Sequence, residues 1–351
     1  MQTSHTIKEW DSRKISFLDD ESINLVVTSP PYPMIEMWDK GFNDLNSKVG
    51  ESLKGEDFRA AFELMHCELD KVWSELYRVL CRGGIACINI GDAVRTVGQK
   101  FVLFTNHHRI IDAFLKVGFD ALPLILWRKQ TNAPNKFMGS GMLPAGAYVT
   151  LEHEYILIFR KSGKRIFKNE NEKKNRRRSA IFWEERNKWY SDLWDFKGVR
   201  QDFKKSMGDH NKRSRSAAFP FELPYRLINM HSVYGDTVLD PFAGSGTTLL
   251  AAMACARNSL GLDNDSEFAV RLDKKINGPG LVTELNRRLE KRQEEHERFI
   301  VEYNKNKGRS PGYINHSHQF PVVTKQEIDL KLLKVDKVLQ KKTGNYIAIH
   351  K

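Results

Sequence analysis

Two short apolar runs, far apart in the chain, each break into a stiff or glycine-rich turn, and this restricts the fold more than any other feature. Asn24-Leu25-Val26-Val27 leads into Thr28-Ser29-Pro30-Pro31-Tyr32, and Thr237-Val238-Leu239 leads into Asp240-Pro241-Phe242-Ala243-Gly244-Ser245-Gly246-Thr247-Thr248. Apolar runs of this length bounded by such breakers read as buried strands. Between them, Phe62, Met65, Leu69, Val72, Leu76 and Val79 recur at the three- and four-residue spacing of an amphipathic helix. Strands that alternate with helices imply an α/β fold with a doubly wound, mainly parallel sheet. Both turns then open at the carboxyl ends of strands, where such sheets bind ligands.

The same reading places further strands at 5–11, 85–90, 122–127, 154–160 and 259–262, with 154–160 as an antiparallel edge strand. Helices are expected at 58–80, 106–117, 220–228, 247–257, from Ser266, at 281–307 and at 327–341. Residues 33–57 hold Gly41, Gly50 and Gly55 amid mixed polarity and read as a long loop. Its Met34, Met37 and Trp38 either meet a substrate or seal the core edge, and sealing is the favoured reading.

Of the net charge of +12, nearly all sits between Arg160 and Arg215, where 19 Lys and Arg face 8 Asp and Glu. Trp183, Trp189 and Trp194 are interleaved with those charges. A basic patch with aromatic planes fits a polyanion footprint. A solvated lysine-rich insertion is the alternative, disfavoured because three tryptophans are costly to leave in water. No stretch approaches the ~20 apolar residues of a membrane span, and no signal-peptide core is visible. Cys67, Cys81, Cys87 and Cys255 lack metal-ligand spacing and read as reduced thiols of a cytoplasmic protein. No metal site is expected.

In the second turn, Gly244 and Gly246 allow close backbone approach to a ligand, and a helix starting at Thr247 points free N–H groups into the same space. A phosphate loop would show Gly-Lys-Ser/Thr, which is missing here. Asp240 would repel phosphate and suits a cationic group. Asp263 closes the next strand, placed to accept ribose hydroxyls or, alternatively, to cap a helix, a task for which Asp265 is better suited. A ribose-bearing cation without a demanding phosphate suggests S-adenosylmethionine. In the first turn, Pro30 and Pro31 fix φ and remove backbone donors, so Ser29 and nearby carbonyls present acceptors fit for an exocyclic amino group. Tyr32 offers a ring on which a base could stack.

These residues resemble the amino-group DNA methyltransferases, which methylate adenine N6 or cytosine N4. The serine form, here Thr-Ser-Pro-Pro-Tyr, leans toward cytosine N4. Motif order, catalytic before cofactor with the basic insert between, is similar to the permuted β-class arrangement. The likeness extends over about residues 8–275 and includes Asp11 near the cofactor adenine, Arg82 to Asp92, and Glu152-His153-Glu154-Tyr155 to Arg160. Asp263 departs from the commoner glutamate.

The resemblance implies a catalytic part at 1–161, a basic target-recognition insert at 162–215, a cofactor part at 216–280 and a C-terminal helical extension at 281–351. It assigns catalysis to Ser29, Pro30, Pro31 and Tyr32. Cofactor binding falls to Asp11, Asp240, Pro241, Phe242, Ala243, Gly244, Gly246, Thr247, Thr248 and Asp263. DNA contacts are expected at Lys173, Arg176, Arg177, Arg178, Trp194 and Arg200. It further implies S-adenosylmethionine converted to S-adenosylhomocysteine, double-stranded DNA with a flipped target base, and a cytoplasmic, nucleoid-associated location. A restriction–modification context with a cognate endonuclease and a monomeric or homodimeric state are also expected. The rival activities are N6-adenine methylation and a non-catalytic DNA-binding module. Cytosine C5 chemistry is disfavoured, since no cysteine follows a proline.

Overall fold

A computed structural model of the protein describes residues 1–97, 100–129, 138–198 and 219–351. Ten strands form its central sheet: β1 (Gln2–Glu9), β2 (Ile23–Thr28), β3 (Leu80–Ile90), β4 (Phe119–Arg128), β5 (His153–Lys161), β6 (Leu193–Asp195), β7 (Thr237–Asp240), β8 (Asn258–Asp263), β9 (Val335–Lys342) and β10 (Asn345–His350). The helices are α1 (Asp39–Leu45), α2 (Ser47–Lys54), α3 (Phe58–Val79), α4 (Asn106–Val117), α5 (Glu170–Arg178), α6 (Trp183–Trp189), α7 (Glu222–His231), α8 (Thr247–Ala254), α9 (Phe268–Ile276) and α10 (Leu281–Lys307).

Spatial order runs β6-β4-β5-β3-β2-β7-β8-β1-β10-β9. The β3-β2-β7-β8-β1 centre is parallel. Strand β5 runs antiparallel to both neighbours, and the β9–β10 hairpin joins β1 antiparallel. Alternate residues of the centre feed two cores, as a two-residue period requires. Leu25, Val27, Ile85 and Cys87 meet α7, α8 and α9 on one face. Val26, Ala86, Ile88 and Leu239 meet α3 and α4 on the other. Burial on both faces explains why the central strands read as continuous apolar runs.

Several expectations fail for identifiable reasons. Residues 33–57 are not a loop: a 3-10 turn at Glu36–Trp38 is followed by α1 and α2, which bury Phe42 and Val49. The Asn46 side chain caps α2 by accepting from Lys48 N at 3.2 Å. Tertiary burial overrides the two helical glycines. The helix expected at 327–341 is a 3-10 turn at Lys325–Glu327 followed by β9, so the C-terminal extension is helical only through α10. Here the turn at Gly344 (φ +71°) and the alternating burial of 345–350 select a hairpin. Strand β5 lies inside the sheet between β3 and β4, not at its edge. An antiparallel pair at 93–97 and 100–104 was not foreseen.

The basic insert is reorganised most. Trp189 and Trp194 are core residues, each 1% exposed, so Trp194 is not a DNA-stacking plane. Trp194 Nε1 donates to Trp189 O at 3.0 Å, and the cations over these rings are internal: Arg226 for Trp194 at 5.1 Å, Arg292 for Trp189 at 5.4 Å. The tryptophans cover the sheet and α7, which satisfies their hydrophobic demand without a partner. Helix α5 packs beside residues that precede β7: Asn175 Nδ2 donates to Tyr234 O at 2.7 Å. Lys173, Arg176, Arg177 and Arg178 therefore lie at the amino end of that strand, opposite the Asp240 turn. Arg176 stacks on Phe167 at 4.9 Å, and Arg177 pairs with Asp329 at 3.3 Å. Arg200 falls outside the described residues.

Candidate active site

Strands β2 and β7 are adjacent and parallel, with Leu25 opposite Val238 and Val26 opposite Leu239. Their carboxyl ends therefore emerge together. Thr28 Oγ1 donates to Asp240 Oδ1 at 2.6 Å, tying the two motifs across 212 residues of chain. Asp240 Oδ1 also accepts from Phe242 N at 3.1 Å, Thr248 Oγ1 donates to Val27 O at 3.4 Å, and Ser12 Oγ donates to Pro241 O at 2.6 Å. The turn thus stays in register with both neighbouring strand ends.

One cavity of about 690 Å³ opens there, within the range of small-molecule sites. Asp11, Ser29, Pro31, Asp240, Pro241, Phe242, Ala243, Gly244, Thr247 and Asp263 all line it. Gly246 and Thr248 stand behind the wall and shape it. Gly246 has φ +72°, and a Cβ there would sit 2.4 Å from Leu272 Cδ2, so only glycine lets α8 start this close to α9. Pro30 and Tyr32 are buried off the cavity wall, and Tyr32, only 7% exposed, lacks the open ring face expected for base stacking.

Burial pushes the Asp240 carboxyl up to about 6, against hydrogen bonds from Thr28, Thr248 and Phe242 N that favour its ionised form. Burial also raises Asp263, whose Oδ2 accepts from Gly244 N at 2.8 Å and Oδ1 from Asp265 N at 3.0 Å. Asp263 thus braces the glycine turn while facing the cavity. Asp265 accepts from Glu267 N at 2.9 Å, the capping task anticipated for it. Asp11 is held below its ordinary value by hydrogen bonds from Arg13. Arg13 bridges onward to Glu68 Oε2 at 2.6 Å.

Sequence reasoning missed Trp10, Ser12, Arg13 and Glu68 on this wall. Glu68 was legible as a carboxylate within the apolar face of α3, beside Met65, Leu69 and Val72. Met37 and Trp38 line the cavity rather than only sealing the core. The donor set fits the cofactor inferred from sequence. Asp11, Glu68, Asp240, Asp263 and Asp265 make the wall carboxylate-rich, hostile to phosphate and suited to an ammonium or sulfonium ligand with ribose hydroxyls. Among the described residues, no group of three or more His, Cys, Asp or Glu could hold a metal ion. His107 instead pairs with Asp92 at 2.8 Å, and His231 is buried and held neutral.

Residues 23–272 match the family model for N6/N4-type enzymes described as DNA methylase. The chain belongs to this DNA methylase family. Its activity is S-adenosylmethionine-dependent methylation of an exocyclic amino group in DNA. Among curated relatives, the type II methyltransferase M.MthZI of Methanothermobacter thermautotrophicus is 52% identical, with 95% of this chain and 91% of that protein covered. M.MjaI of Methanocaldococcus jannaschii is 48% identical, covering 78% of this chain and 91% of that protein. Among solved structures, a DNA modification methylase of Thermus thermophilus, TTHA0409, complexed with S-adenosyl-L-methionine, superposes with a TM-score of 0.58 at 32% identity. That match covers 77% of this chain and 94% of the other. The cytosine-N4-specific PvuII DNA methyltransferase, at 19% identity and a TM-score of 0.52, shares the fold; the match covers 81% of this chain and 92% of that one. No helix among the described residues of this methylase is long and apolar enough to cross a membrane.

Proposed function

We propose that this DNA methylase is a β-class enzyme that methylates the N4 amino group of a cytosine flipped from duplex DNA. The observation that carries the proposal is the placement of Ser29 and the Asp240–Thr247 turn on one cavity. When bound, S-adenosylmethionine supplies an electrophilic methyl group on a sulfonium and leaves as S-adenosylhomocysteine. Asp240 provides the buried negative charge for the cofactor's cationic end, and Asp263 and Asp11 provide acceptors for its hydroxyls and base. Ser29 Oγ accepts an N–H of the target amine. That contact localises a lone pair otherwise delocalised into the ring and aims it for in-line attack. The second acceptor anticipated at Pro30 lies off the wall, which leaves the aiming to Ser29.

Support for cytosine N4 comes from the serine form of the turn and from PvuII methyltransferase, a cytosine-N4-specific enzyme of the same fold. The relatives named type II methyltransferases favour a restriction–modification context with a cognate endonuclease. Incubation with S-adenosylmethionine and genomic DNA, nucleoside mass spectrometry and methylation sequencing test the reading. N4-methylcytosine at one recurrent sequence supports it. N6-methyladenine replaces the cytosine assignment, and unmodified DNA refutes the proposal.

A further inference from the structure

Behind Ser29 lies a polar chain that the methylation chemistry above does not use. Ser29 Oγ lies 3.1 Å from Tyr32 Oη, which lies 3.1 Å from Glu154 Oε2. Asn89 Nδ2 donates to Tyr32 Oη at 2.9 Å and to Glu154 Oε2 at 2.7 Å, and Lys129 Nζ donates to Glu154 Oε1. Gly91 closes the group on one side, since a Cβ there would lie 3.1 Å from Tyr32 Cε2 and 3.3 Å from Glu154 Cγ. Three elements meet here, β3 with Asn89, β5 with Glu154 and the turn after β2.

Donor and acceptor rules fix the direction of this chain. An ionised carboxylate only accepts, so Tyr32 gives its single proton to Glu154. Asn89 must turn its amide N–H to the same carboxylate, and Tyr32 Oη must accept from both Asn89 and Ser29. The Ser29 proton is thereby committed away from the cavity, and its oxygen meets the target base with lone pairs only. We infer that Glu154, acting through Tyr32, is a positioning residue that makes Ser29 a compulsory acceptor and so lets the enzyme distinguish a base amine from a base carbonyl. An amine at the target position donates to Ser29, whereas a carbonyl there places acceptor against acceptor. Burial and the neighbouring Glu154 charge hold Tyr32 well above its ordinary value, so it relays direction as a neutral phenol.

This inference rests on the role proposed for Ser29, and the test separates the two. Binding is measured, with S-adenosylhomocysteine present, to duplexes carrying the mapped site with either cytosine or uracil at the modified position (hypoxanthine replaces adenine if adenine is the target). Wild type should prefer the amine by about 100-fold or more, because a site built around one hydrogen-bond sense leaves a mismatched partner unpaired. Glu154→Gln and Tyr32→Phe should each bring that preference to within about tenfold and lower kcat about 10- to 100-fold, with cofactor affinity unchanged. The double variant should be no worse than either single one, as expected of two links in one chain. Tyr32→Phe removes only an oxygen and carries the test if Glu154→Gln fails to fold. Wild-type preference and rate in both variants would overturn the inference while leaving the methylation reading intact. A wild-type protein that transfers no methyl group to DNA would overturn the reading itself.

Discussion

Replacing Asp240 with asparagine sets the stability of this methylase against its cofactor affinity, and the structure gives the size of both effects. The Asp240 carboxyl is raised from 3.8 to about 6 by burial. At 1.36 kcal/mol per pKa unit, ionising it in the folded protein costs about 3 kcal/mol relative to the unfolded chain. Below pH 3.8 both states carry the proton and the cost is absent. Between the two values the native state holds the extra proton, so stability falls as pH rises, and above about pH 6 the whole cost is present. Asparagine keeps an oxygen to accept from Thr28 and Phe242 N but carries no charge.

Asp240→Asn should therefore melt about 5 °C above wild type at pH 8 in the absence of cofactor, and the advantage should vanish near pH 4. Cofactor affinity should move the other way. Loss of a charge-assisted contact worth about 1.5–3 kcal/mol weakens binding roughly 10- to 150-fold. Thermal melts at both pH values and titration calorimetry with S-adenosylmethionine check the two arms. A variant that melts below wild type at pH 8, or one that keeps wild-type affinity, would refute the assignment of Asp240 as a strained anionic anchor.

Ser29→Ala should cut kcat about 100-fold, the scale of one lost aiming contact, while calorimetry shows unchanged cofactor binding. Arg292→Met strands Glu185, which it now holds at 2.6 Å and 2.8 Å in the core, and should cost about 3–5 kcal/mol in denaturant melts. The Glu185→Leu/Arg292→Met double variant should recover most of that loss. Reversing Lys173, Arg176 and Arg177 to glutamate should leave KM for DNA within about twofold at fixed salt, because α5 sits at the amino end of β7; a large rise with a shallower salt dependence would return these residues to the DNA interface.

The strand ends and the cofactor turn were legible because they are local: an apolar run, a breaker, and a helix start within a few residues. Asp11, Asp240 and Asp263 follow from that pattern, since each ends a parallel strand. What was not legible depends on contacts between distant segments. The tryptophans near α6 look like a nucleic-acid surface in sequence, yet Arg226 and Arg292, from helices later in the chain, are the cations they meet. Glycine content argued for a loop at 33–57, where packing of Phe42 and Val49 against α3 outweighs propensity. Tyr32 follows a proline pair on what looks like an exposed turn, but its partners Asn89 and Glu154 arrive from β3 and β5. Helical spacing and strand alternation both fit 335–342, and only pairing with β10 decides between them.

The Ser-Pro-Pro-Tyr turn is held between two buried carboxylates from different parts of the chain. Asp240 takes the Thr28 hydroxyl on one side of Ser29, and Glu154 takes the Tyr32 hydroxyl on the other. Prolines at 30 and 31 remove the backbone donors that could otherwise compete for those oxygens. Every proton near Ser29 in this arrangement is drawn inward, and the lone pairs of Ser29 face the cavity. A poor nucleophile such as an exocyclic amine gains from an acceptor of fixed sense more than from a strong base, because it must be aimed before it is deprotonated. The sheet makes such aiming possible from a permuted sequence: neighbouring parallel strands bring Thr28 and Asp240 to 2.6 Å regardless of which motif comes first.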